Sequence, residues 1–106
     1  MSIDRTIAAL GDSTRRELLR RLAHKPCRAG ELAHGFAISR PAVVKHTRML
    51  GRAGLIRAKK VGRERIYELA PGGRERVESL IKKLEEVGAF WDAALEAFKH
   101  YLEKNH

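Results

Sequence analysis

The sequence predicts a mainly α-helical fold carrying one small β-hairpin and a long C-terminal helix. Three observations predict it. Apolar residues recur at intervals of three and four in short segments up to Arg52, two apolar-basic runs flank Val61-Gly62, and an unbroken heptad pattern follows Pro71-Gly72-Gly73. At 106 residues the chain is long enough for one domain, residues 1–106, with only a modest core when alone.

Ile3, Ile7 and Leu10 stand at helical spacing before Gly11, which predicts a short first helix. Asp12 is placed to cap the next one, "STRRELLRRLAHK", where Leu18, Leu19 and Leu22 share a face and Thr14-x-x-Glu17 offers a capping box. Pro26 ends it, and Cys27 reads as a small filler in the following loop. "RAGELAHGF" predicts a third, short helix contributing Leu32 and Ala33, with a tight connection through Gly35, Phe36, Ala37 and Ile38. Ser39 supplies an N-cap oxygen for the fourth helix and Pro41 sits in its first turn, where a missing N–H costs little. Val43, Thr47 and Leu50 form its inward face, with the Thr47 hydroxyl expected to donate to the Val43 carbonyl. Arg40, Val44, Lys45 and Arg48 point elsewhere. Two helices joined by a short turn, the second with a basic outward face, describe a helix-turn-helix.

"LIRAKK" and "RERIYEL" predict a hairpin over residues 55–69, with Gly62 taking positive φ at the turn. A basic hairpin after a helix-turn-helix is a wing, and Lys59, Lys60, Arg63 and Arg65 lie at its tip. In residues 71–106, Val77, Leu84, Trp91 and Phe98 recur every seven residues, and Leu80, Val87, Ala94 and Tyr101 follow each by three. A helix of roughly 30 residues spans about 45 Å, more than a body of about 70 residues can cover. Part of the stripe is therefore expected to pack on the same helix of a second subunit. The order reads α1-α2-α3-α4-β-β-α5, with residues 1–70 as a DNA-binding body and 71–106 as a dimerisation helix.

Formal net charge is +9, and its distribution is uneven. Residues 1–70 carry 16 Lys/Arg against 6 Asp/Glu, whereas residues 71–106 carry 6 against 7. Between Arg40 and Arg65 there are nine Lys or Arg and the single acid Glu64, the footprint of a surface that binds a polyanion. No Ser/His/Asp or Cys/His constellation, apolar-set carboxylate pair or phosphate-cradling loop is visible, so neither an enzyme nor a cofactor is expected. The lone Cys27 excludes an internal disulfide, and no apolar run suffices for a signal peptide or a membrane span. These features lead to a cytoplasmic expectation.

The stretches "ALGDSTRRELLRRL", "GELA", "ISRPAVVKHTRML", "AGLIRAKKVGRERIYEL" and "FWDAALEAFKHYLE" cover nearly the whole chain. In order and spacing the sequence resembles the ArsR-type winged helix-turn-helix transcriptional repressors of bacteria and archaea. The resemblance implies a homodimer built from the first and last helices, through Ile3, Ile7, Leu80, Leu84, Val87, Trp91, Ala94 and Phe98, and a fourth helix that reads the major groove of double-stranded DNA. Ser39, Arg40, Pro41, Val44, Lys45 and Arg48 are the expected contacts of that helix, and Lys59, Lys60, Arg63 and Arg65 those of the wing. Arginine reads guanine bidentately, lysine mostly finds phosphate, and Val44 is suited to a thymine methyl. Wing contacts to the backbone add affinity more than discrimination.

Departures from the family pattern shape the expectation. Metal-sensing members carry an "ELCVC"-like stretch in the third helix; here "ELAHG" puts Ala33 and Gly35 at the cysteine positions, and thiolate ligation there is impossible. Others use Asp-x-His on the last helix, whereas Asp92 is followed by Ala93 and Ala94, with only His100 and His106 beyond. Thr47 replaces the usual inward Leu, and Val44 stands at a commonly polar outward position. His46, beside Thr47, reads as structural. The expectation is a metal-independent, sequence-specific repressor acting as a homodimer on a two-fold symmetric operator. Two alternatives stay open: a metal-responsive repressor with an atypical His/Cys site, and a protein-interaction module using the heptad helix. An effector or protein partner is not identified by the sequence, although Trp91 and Phe98 form an aromatic pair suited to lining a small pocket.

Overall fold

The computed structural model of the protein describes residues 3–104. Its elements in chain order are α1 (Ile3–Leu10), α2 (Ser13–His24), β1 (Cys27–Arg28), α3 (Ala29–Leu32), α4 (Arg40–Arg52), β2 (Ile56–Val61), β3 (Glu64–Leu69) and α5 (Gly73–Lys104). His106, named in the sequence reading, lies outside the described residues.

In α1 the inward positions are Thr6 and Ala9, both almost fully buried, rather than the Ile3, Ile7, Leu10 stripe; Ile7 is 47% exposed. The reason is length: an eight-residue helix on a small body buries only the narrow face that meets α5, α2 and α4, and small side chains allow that close approach. Asp12 caps α2, its Oδ1 accepting from the backbone N–H of Thr14 at 2.8 Å and Arg15 at 3.1 Å. These bonds hold its carboxyl below the ordinary range, the Arg15 N–H contributing most. The Thr14–Glu17 capping box does not form, because Asp12 already occupies the N-cap and Glu17 turns to Arg20 and Arg21.

The hairpin is joined by a third strand where the sequence predicts a loop. Cys27 pairs with Tyr67 and Arg28 with Ile66, giving an antiparallel sheet of order β1-β3-β2. Cys27 is buried there. The third helix is shorter than predicted, one turn ending at Leu32, so seven residues rather than four separate α3 from α4. Arg21 of α2 explains how so short a helix persists, since its Nη1 takes the Leu32 carbonyl and that of His34 while its guanidinium lies 4.1 Å over the Phe36 ring.

Ser39 caps α4 as predicted, accepting from the Ala42 N–H at 3.3 Å, with Pro41 in the first turn. Val43, Thr47 and Leu50 are buried. The Thr47 hydroxyl donates to Val44 O at 3.0 Å rather than to Val43 O; a helical threonine can reach the carbonyl either three or four residues back, and here it takes the nearer one in sequence. The helix ends in a Schellman motif, with Gly54 N–H bonded to Gly51 O and Leu55 N–H to Leu50 O. Gly54 has φ of 74°, and a Cβ there would fall 2.2 Å from Arg76 Nε. Gly62 has φ of 63° and Arg63 a negative φ, the sign pattern of a type II′ turn between Val61 and Glu64.

The core joins Ala9, Leu18, Leu22, Cys27, Leu32, Leu50, Ala53, Leu55, Ile56 and Tyr67, so every element but α5 contributes a buried member; Val77 packs against it from α5. Leu80 is buried, and from Ile81 to Lys104 every residue is exposed. With 32 residues α5 runs about 48 Å, which makes the molecule 73 × 28 × 21 Å.

Candidate nucleic-acid interface

Two elements build the basic face. On α4 the buried triad Val43, Thr47 and Leu50 sets which side of the helix faces inward, leaving Arg40, Val44, Lys45 and Arg48 outward and exposed. On the hairpin the register pairs Ala58 with Tyr67 and Lys60 with Arg65. Alternate residues share a face, so the buried Tyr67 places Ala58, Lys60 and Arg65 on the side turned toward α4. A cleft of about 200 Å³ separates the two elements, lined by Val44, Thr47, Arg48 and Gly51 from α4 and by Ala58, Arg65 and Tyr67 from the hairpin. A second cleft of about 230 Å³ lies on the other flank of α4, where Arg40, Val43 and Val44 meet Ala29, Gly30 and Ala33.

The hairpin divides the residues predicted for the wing. Lys60 and Arg65 share the α4 side and Arg63 stands at the turn, all exposed. Lys59 belongs to the opposite face, where its Nζ lies 3.1 Å from Glu68 Oε1 and Arg57 shares the same carboxylate. Glu68 is accordingly held below the ordinary carboxylate range, by the Arg57 hydrogen bond first and the Lys59 bond second. Arg57, which the sequence reading passed over, also reaches the α4 cleft. Ser39 and Pro41 are exposed at the N-terminus of α4 beside Arg40.

Not all of the body's positive charge is available to a ligand. Arg15 of α2 donates to Ala8 O, Ala9 O and His46, Arg16 to Leu10 O, Arg20 to Glu17, and Arg21 to Leu32 O and His34 O. These four guanidiniums close helix ends and pair acids. Among the described residues, Arg40, Lys45 and Arg48 on α4 and Lys60, Arg63 and Arg65 on the wing are exposed instead.

The residues expected at a dimer interface fall into two groups. Leu80 is buried within the chain and Ile3 is half-buried, whereas Ile7, Leu84, Val87, Trp91, Ala94 and Phe98 are exposed. Phe90, Leu95 and Leu102 are exposed as well and widen the stripe beyond the a/d positions. Ile81, Leu95 and Leu102 each follow a d position by one, a signal present in the sequence at intervals of fourteen and seven. Trp91 and Phe98 line none of the clefts described here. A larger groove, about 670 Å³, lies between α2, the base of the hairpin and the start of α5, with Leu19, Leu55, Leu69, Val77 and Ile81 along it.

Donor chemistry at the family's metal positions does not fit a metal ion, because Ala33 and Gly35 offer no side-chain ligand. Among the described residues no group of three or more His, Cys, Asp or Glu side chains is arranged to hold one. Nor is any helix among them long and apolar enough to cross a membrane.

Comparison with known proteins agrees with this geometry. Residues 12–58, from the α2 cap into β2, match the family model for the bacterial regulatory proteins of the arsR family. The chain is 36% identical over 102 residues to the HTH-type transcriptional regulator Rv2034 of Mycobacterium tuberculosis, covering 96% of this chain and 90% of that one. Among solved structures, an ArsR-like transcriptional regulator from Rhodococcus sp. RHA1 is 36% identical with a TM-score of 0.70, over 92% of this chain and 90% of the other. An ArsR family transcriptional regulator, RHA00566, is 32% identical with a TM-score of 0.69, over 81% and 89%. HlyU from Vibrio cholerae, 24% identical with a TM-score of 0.61 over 74% and 86%, agrees in fold. Helix-turn-helix, wing and extended C-terminal helix thus occur here in a chain that belongs to the ArsR family of DNA-binding transcriptional regulators.

Proposed function

We propose that the protein is a homodimeric repressor that occupies a two-fold symmetric operator in double-stranded DNA and needs no metal to do so. The observation that carries the reading is the cleft between α4 and the hairpin, with Arg48 on one wall and Arg65 on the other. Such a pair of walls suits a helix lying in the major groove while a wing follows the adjacent backbone. Arg40, Val44 and Arg48 are then the base-reading candidates, with Lys45 beside them for phosphate. Ser39 and Pro41 at the helix start, with Lys60, Arg63 and Arg65, sit against phosphate, and Lys59 contributes least because Glu68 holds it. The exposed apolar stripe from Leu84 to Leu102, with Ile7, supports pairing of two copies through α5 and α1, which would link two half-sites. Repression follows from occupancy of a promoter; a small effector or a protein that relieves it is compatible with the fold.

Selection of bound sequences from random duplexes by the purified, metal-free protein tests this reading. A two-fold symmetric consensus is expected, and operator affinity should stay within about threefold when Zn²⁺, Ni²⁺, Cu⁺ or arsenite is added near stoichiometrically. Absence of any enriched sequence would favour the protein-interaction reading. A loss of about tenfold or more with one ion would favour an atypical His/Cys metal site.

A further inference from the structure

A polar contact between α4 and α2 lies away from the basic face of α4. Arg15, in the first turn of α2, spreads its guanidinium over two other helices. Nε donates to Ala9 O at 2.8 Å and Nη2 to Ala8 O at 2.7 Å, taking carbonyls that α1 leaves open at its C-terminus. The cation also suits the negative end of that helix. The third nitrogen, Nη1, lies 3.2 Å from Nδ1 of His46 on α4. A guanidinium has donors only, so in this bond Nδ1 is the acceptor. Arg15 is itself held from behind, its backbone N–H bonded to the Asp12 cap. Asp12, Arg15, His46 and the end of α1 thus form one polar junction among three helices.

The place of His46 on α4 gives the junction its meaning. It follows Lys45 and precedes Arg48 by two, yet it is half-buried on the flank between the buried Thr47 and α1, about 160° around the helix from Arg48. Apolar contacts of Val43 and Leu50 set the depth of α4 but resist a small roll poorly, since slightly rotated apolar side chains can still bury most of their area. A directional hydrogen bond on the flank does resist it. Rolling α4 by about 20° would carry an arginine tip roughly 3 Å across a groove floor, beyond the reach of a bidentate base contact.

We propose that Arg15 and His46 are a positioning pair for operator reading: the bond between them fixes the roll of α4 against the end of α1, and so aims Arg40, Val44, Lys45 and Arg48. This deepens the DNA-reading proposal and rests on it. Because α1 also presents Ile7 at the exposed surface that the proposed dimer uses, the pair ties the reading helix of each copy to the helix at its interface.

The test compares affinity for the selected operator with affinity for a random-sequence duplex at one salt concentration. Histidine at 46 is changed in two ways. His46→Leu keeps bulk and removes the acceptor, whereas His46→Asn keeps an oxygen close to where Nδ1 stands. We expect His46→Leu to lower operator affinity about tenfold while random-duplex affinity moves less than about threefold, and His46→Asn to recover most of the difference. Arg15→Met should match His46→Leu, and the double variant should be no worse than either single one, since both remove the same bond. Thermal unfolding of each variant separates this from loss of fold: Arg15→Met also frees two α1 carbonyls and is expected to be less stable, while His46→Leu and His46→Asn should unfold alike. If His46→Leu binds operator within about threefold of wild type, if His46→Asn is no better than His46→Leu, or if the double loss is the sum of the singles, the pair does not position α4. A wild-type protein that failed to distinguish operator from random duplex would remove the DNA reading before any variant was compared, and this inference with it.

Discussion

Leu50 shows how one apolar side chain places several charged ones. It is fully buried where α4 meets α2 and the sheet, in the core with Leu18, Leu22 and Leu32. Its burial fixes which side of α4 faces inward, and Arg48 is outward as a consequence. Leu50→Ala should cost about 3 kcal/mol, read as a lower urea midpoint with an unchanged slope. Asp12 acts through hydrogen bonds instead. Its folded pKa is lowered, chiefly by the Arg15 N–H, so the stability it contributes is present above the unfolded carboxylate value of about 4 and is lost as pH falls through the lowered folded value. Asp12→Asn keeps a capping oxygen that does not titrate. Between pH 6 and pH 3, therefore, the thermal midpoint of wild type should fall further than that of Asp12→Asn; equal falls in both would show that other carboxylates dominate acid unfolding.

At the scale of elements, the hairpin sorts its cations by alternation. Lys60 and Arg65 are cross-strand partners on the face turned to α4, whereas Lys59 and Arg57 share Glu68 on the other. Lys60→Ala should weaken binding to all sequences about equally and reduce the salt slope by about one. Lys59→Ala should change that slope much less, because a lysine already neutralised by Glu68 releases little from the DNA when removed. A larger slope change for Lys59→Ala than for Lys60→Ala would mean that the wing meets DNA with its other face.

For the whole molecule the governing fact is that α5 outruns its own body. Leu84, Trp91 and Phe98 are more than half exposed while Leu80, one turn earlier, is buried. An apolar stripe of this length is stable in water when a partner covers it. Replacing Leu84 and Trp91 together with Asp would set charges in that seam and should yield monomers, with operator affinity falling far more than the loss of one half-site's contacts. Sedimentation that still shows a dimer would place the interface elsewhere on the chain.

Periodicity, caps and turn residues alone determined most of this architecture. The Ser39 cap, the Val43, Thr47, Leu50 face, positive φ at Gly62 and the start of α5 after Pro71-Gly72 are local consequences of side-chain chemistry, readable without any long-range contact. The basic stretch from Arg40 to Arg65 was likewise legible, because charge cannot be hidden in a core of this size. Tertiary structure decided what depends on distant partners. Two residues at Cys27–Arg28 carry no strand signal of their own and become one only because β3 offers a free edge. Thr6 and Ala9 outrank Ile7 for burial because α1 has a narrow seat between neighbouring helices, which no period reveals. The split of Lys59 from Lys60, and the turning of the α2 arginines inward to helix ends, depend on where Glu68 and the open carbonyls stand in space. A lysine or arginine looks the same in sequence whether it faces a phosphate or a carbonyl, and only the fold supplies its partner.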